Sequence, residues 1–182
     1  MYDNNKNMLY NESQVFELIK FMCDTIEEES NSSYYKSKLL DFFRYLIYCN
    51  GRSLQFIQIQ ILKIMQDDSY KNIMLSSDDL DKLPQLVEEY EAANSKKRTG
   101  ELIEISPELT YMITFFQISA SLIDDNNTVN MGKIVKKFPF DKLIRLITDS
   151  RNCWSLKRNI RTLVNRLYYF QPEIETNLKK IL

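Results

Sequence analysis

Apolar residues recur three and four positions apart along most of this chain, a spacing that predicts helices. The densest stretch, Asp41 to Met65, holds two apolar segments joined at Asn50-Gly51-Arg52-Ser53. Before it, Val15, Phe16, Leu18, Ile19, Met22, Cys23 and Ile26 form one stripe, with Asn11 or Ser13 as the cap and Glu27-Glu28-Glu29 as a solvated end. The next helix is expected from Tyr34 to Cys49. Its Leu39, Leu40, Phe42, Phe43, Leu46, Ile47 and Cys49 wrap more than one face, which calls for neighbours on several sides. Gly51 is expected to end that helix in a left-handed conformation, and Ser53 to cap a helix over Leu54 to Gln66. Ile57, Ile59 and Ile61 alternate with Gln58 and Gln60 in a strand-like period. The run continues through Leu62, Ile64 and Met65, which favours helix.

Further along, Ser69 is expected to cap a short turn over Tyr70–Leu75, and Ser76-Ser77-Asp78-Asp79 a helix broken or restarted at Pro84. Asn94 to Gly100 reads as a linker, flexible to about residue 105. Ser106-Pro107-Glu108 is a helix start, and Met112 to Ile123 make that helix broadly apolar. Oxygen-bearing residues alternate in Asp124–Gly132 as they do in a calcium loop. Val129 stands where such a loop needs Gly and Val135 where it needs a bidentate Glu, so a capping turn is expected. Helices should follow over Val129–Phe138, Lys142–Thr148 and Trp154–Phe170, with a last one opened by Pro172. Trp154 reads as a packed edge aromatic. Ile174, Leu178, Ile181 and Leu182 keep the last helix apolar, so the array is expected to continue or to be capped by another chain. The fold class that results is all-α, with antiparallel helix pairs stacked into an array. One helical-repeat domain covers residues 12–182, after a disordered tail over residues 1–11.

Composition narrows the chemistry. Hydrophobic residues make up 44% and charged residues 27%, a folded rather than disordered balance. Three Gly and four Pro are too few for a many-turned sandwich or barrel. No apolar run of about 18 residues is present, so membrane insertion of this segment is not expected. The polar N-terminus does not read as a signal peptide. Cys23, Cys49 and Cys153 are far apart and the chain has no His, which points to reduced core thiols, a cytoplasmic location and no zinc site. Without His there is no His-based triad or metal cluster, and three scattered Gly build no phosphate loop. No catalytic residue, metal ligand or cofactor is assigned, and the chain is not expected to be an enzyme.

Charge is unevenly spread. Residues 133–182 carry 12 of the 24 basic residues and 4 of the 25 acidic ones, leaving 12 basic against 21 acidic in residues 1–132. Lys157, Arg158, Arg161 and Arg166 make a basic side on the Trp154 helix, a candidate face for an acidic protein partner if the chain is a free-standing helical-repeat adaptor for protein–protein interaction. Lys96-Lys97-Arg98 reads as solvated. Nucleic acid is not an expected partner, because exposed aromatics beyond Tyr168 and Tyr169 are not interleaved with the charges.

Two collinear segments resemble a known family. Leu46, Ile47, Cys49, Gly51, Ser53, Leu54, Gln58 and Ile61 fall on one family pattern, although Ile47 stands where that family prefers Cys. Phe115, Phe116 and Leu122, followed by Asp141, Leu143, Ile144, Ile147, Thr148 and Asp149, follow a second. Together they resemble the armadillo-type RIH domain of inositol trisphosphate and ryanodine receptors, the intracellular calcium-release channels, over roughly residues 35–170. Residues 76–106 depart most. The resemblance implies an armadillo-like α-solenoid that relays conformational change between ligand-binding and pore regions. It further implies neighbouring repeats or channel subunits as partners, and a place on the cytosolic face of an internal calcium store. Leu46, Cys49, Gly51, Leu54, Gln58 and Ile61 are its structural motif residues. No ligand-binding or pore residue carries over.

Overall fold

A computed structural model describes residues 12–28, 32–49, 51–70, 72–95, 105–149 and 153–168. The expected N-terminal tail, most of the expected linker with Lys96-Lys97-Arg98, and the Pro172-led helix lie outside the described residues. Among the described residues there are eight α-helices and one small hairpin. They are α1 (Glu12–Glu27), α2 (Ser33–Ile47), β1 (Tyr48–Cys49), β2 (Arg52–Ser53), α3 (Gln55–Met65), α4 (Ser77–Ser95), α5 (Pro107–Ser121), α6 (Thr128–Lys137), α7 (Phe140–Thr148) and α8 (Trp154–Tyr168). The fold is all-α.

The centre of the molecule is α5. Ser106 caps it by accepting from the Leu109 amide, with Pro107 at the first helical position. Eleven of its 15 residues are buried, so it is surrounded rather than one-sided. Its buried hydroxyls are satisfied within the helix: Thr114 donates to the Thr110 carbonyl at 2.9 Å and Ser121 to the Gln117 carbonyl at 3.2 Å. It packs against α2, α4 and α8, while α1, α2 and α3 pack on one another and α6 rests on α3. The contact between α2 and α5 joins helices that are not neighbours in sequence. Phe138, just after α6, fills the core beside it, with ring centroids 6.0 Å from Phe115 and 5.7 Å from Phe116.

Several local expectations are corrected. α2 stops at Ile47, and Cys49 lies in β1 rather than on the helix. Only Ser37, Leu40, Phe43 and Ile47 of α2 are buried; Phe42 stays exposed because it lies on the side away from α5. Gly51 is left-handed at φ 75°, but it serves a hairpin turn, with Tyr48 paired to Ser53 and Cys49 to Arg52. Ser53 caps nothing: α3 begins after Leu54, which has no side-chain cap. Ser13 is inside α1 and so does not cap it. Pro84 does not break α4, which runs through it to Ser95, past the expected start of the linker. Buried Leu80, Leu83 and Val87 hold both sides of the proline against the core. The start of α4 is fixed reciprocally, as Ser76 Oγ accepts from the Asp79 amide while Asp79 accepts from the Ser76 amide and hydroxyl. At the turn after α3 it is Asp67, accepting from the Ser69 amide at 2.9 Å, that acts, not Ser69. Glu27 is not merely solvated, because it accepts from the Asn72 amide and side chain and ties that turn to α1.

Candidate functional site: a polar clasp and a basic helix face

The hairpin after α2 and the turn after α5 meet. The turn is a 3-10 segment, Asp124–Asn126, in which Asp125 and Asn126 both have positive φ, at 52° and 57°. Asp and Asn tolerate that region better than other side chains. The geometry brings the Asp125 carboxylate to Ser53, whose hydroxyl donates to Oδ2 at 2.6 Å and whose amide donates at 3.2 Å. These bonds hold the Asp125 carboxyl below the usual carboxylate range. Asp124 accepts from the Tyr48 hydroxyl at 2.6 Å and pairs with Arg166 at 3.1 Å. Burial, then the bond to Asp124, pushes the Tyr48 hydroxyl up.

Gln58 sits beneath these contacts, fully buried on α3. Its amide donates to the carbonyls of Ser121 at 2.8 Å and Asp124 at 3.3 Å, and its oxygen accepts from Asn127 at 2.7 Å. Asn127 in turn caps α6 by accepting from the Asn130 amide, so the expected capping turn over Asp124–Gly132 is present. Of the motif residues, Gly51 turns the hairpin, Gln58 anchors the clasp, Ile61 is buried, and Leu46 and Leu54 pack partly buried against the same core. Cys49 is half-buried and unpaired with another cysteine. Sequence reasoning did not foresee Tyr48, Asp124, Asp125 and Asn127 as a unit. Asn127 alone meets the need for a cap, so the two acids ahead of it were the only signal that the turn does something more.

The four basic residues of α8 divide. Arg166 belongs to the clasp, donating to the Ala120 carbonyl at 2.6 Å besides pairing with Asp124. Helical geometry rotates it away from Trp154, Lys157, Arg158 and Arg161, which share one side. Trp154 is 69% exposed, contrary to the expectation that it packs as an edge aromatic, because the buried stripe of α8 begins at Leu156. The Arg158 guanidinium lies over its ring at 5.3 Å. Arg161 Nε is buried and has no hydrogen-bond partner among the described residues. This side of α8 therefore presents cations and one indole, which together suit carboxylates and an apolar side chain.

Elsewhere, burial pushes the Cys23 thiol up to about 12, helped by the charges of Asp24 and Glu27, so it stays protonated and is a poor nucleophile. Among the described residues no group of acidic or sulfur-bearing side chains is arranged to hold a metal ion, and no helix is long and apolar enough to cross a membrane. No protein-family model matches the chain, and no curated protein or solved structure shows significant similarity to it.

Proposed function

We propose that this chain is a non-catalytic helical scaffold that binds an acidic segment of a partner protein on the Trp154–Arg161 side of α8. The observation that carries this reading is the pairing of an exposed Trp154 with the Arg158 guanidinium over its ring. An indole with a stacked guanidinium is a common anchor at protein interfaces. Calorimetric titration of a Glu-rich peptide containing one Leu tests it. Wild type is expected to bind, and R158E/R161E to lose at least about tenfold in affinity, since two attractions become repulsions. Equal binding by both proteins would remove this face from the function.

The resemblance of Leu46–Ile61 and Phe115–Asp149 to the RIH domain extends the proposal. In that version the helix pairs form an armadillo-like array within a cytoplasmic part of a calcium-release channel, and rock as a unit to relay ligand binding to the pore. The role of Gly51 and Gln58 in fixing α2 and α3 against α5 supports it, since motif residues that lock helix pairs together make such a unit rigid. A reading frame downstream of residue 182 that encodes no pore-type membrane segment would end the channel version and leave the scaffold reading standing.

A further inference from the structure

The side of α2 that faces away from α5 carries a second stripe. Tyr34, Tyr35, Phe42 and Tyr45 are 55, 48, 45 and 72% exposed. Phe42 and Tyr45 are in ring contact at 6.2 Å, and the Lys38 ammonium lies 5.1 Å from the Tyr34 ring. Asp41 is held at the same side by Arg44 at 2.8 Å. Tyr34, Lys38, Asp41 and Tyr45 are four, three and four residues apart, the spacing of a coiled-coil seam. The core residues Leu40, Phe43 and Ile47 lie on the opposite side, so among the described residues the aromatic stripe is left exposed.

We propose that this stripe pairs antiparallel with the same stripe of a second copy of the chain, about a two-fold axis between Leu39 and Leu40. The stripe is self-complementary. A two-fold at that point lays Tyr34 on Tyr45 of the second copy, and Lys38 against Asp41 of the second copy. Each contact occurs twice, as an isologous interface demands. Tyr35 and Phe42 share one flank of the seam and meet their counterparts there, adding aromatic area to the two ion pairs. A seam built of tyrosines and one charge pair, rather than leucines, can also face water. The pairing is therefore reversible, and it leaves the cationic side of α8 to its own partner.

Sedimentation of the full chain over a range of concentrations tests this. The mass of the wild type should rise from 21.7 kDa toward twice that value. K38E places two acids together, and D41K two ammonium groups, on either side of the two-fold axis. Each variant alone should dissociate at least about tenfold more readily. An equimolar mixture should recover the wild-type dimer, because each variant then faces the opposite charge. Both positions are on the surface, and unchanged thermal unfolding would show the variants folded. A wild type that stays at 21.7 kDa at every concentration overturns the proposal. So do single variants that dimerise as the wild type does, or a mixture that recovers nothing.

Discussion

At the scale of single residues, the hairpin after α2 separates backbone from side-chain effects. Gly51 has φ 75° and open space where a Cβ would stand. G51A should therefore lose about 1 kcal/mol from backbone strain alone, while G51N, whose side chain tolerates this region, should lose less. Chemical denaturation of the two variants measures the difference. Nearby, Ser53 holds the Asp125 carboxyl low through its hydroxyl and its amide. A carboxylate depressed in the folded state contributes stability above its unfolded value, near 3.9, and loses it as pH falls through the lower folded value. In S53A the Asp125 titration, followed by carboxyl-carbon NMR, should move up toward the ordinary carboxylate value. The stability gap between S53A and wild type should narrow as pH drops through the same acid range.

At the scale of elements, α4 shows a helix held by packing against a local breaker. Pro84 removes one backbone donor from the interior, yet the helix continues because Leu80, Leu83 and Val87 are buried on either side of it. P84A should therefore stabilise the protein, by about 1–3 kcal/mol, read as a rise in the thermal midpoint. The same competition explains what was legible beforehand. Helices with one clear stripe, such as α1 and α8, could be placed from spacing alone. The broad apolar content of α5 announced a surrounded helix, and its Ser-Pro-Glu start located it. The hairpin was not legible: its Asn-Gly step also suits a helix stop, and the choice depends on Ser53 meeting Asp125 from 72 residues away. The cations of α8 could be named from sequence. Their split could not, because Arg166 leaves the set only when Asp124 is brought beside it.

At the scale of the whole molecule, the clasp joins the first helices to the last ones across α5. Gln58 reaches Ser121, Asp124 and Asn127, and Arg166 reaches back from α8 to the same turn. Q58L leaves those buried partners without a bond and should destabilise by about 1–3 kcal/mol for each orphaned group. If the chain unfolds as one body, hydrogen exchange should rise together in α3, α5 and α8 of Q58L, rather than in α3 alone.

The chain's only tryptophan stands exposed on the side of α8 proposed to hold the acidic partner. Trp154 emission during titration with an acidic peptide is therefore the most direct reading of that face. The account predicts a saturable change at low salt that weakens as ionic strength rises and is lost in R158E/R161E. An emission that does not respond, or that responds equally in the charge-reversed protein, would contradict it.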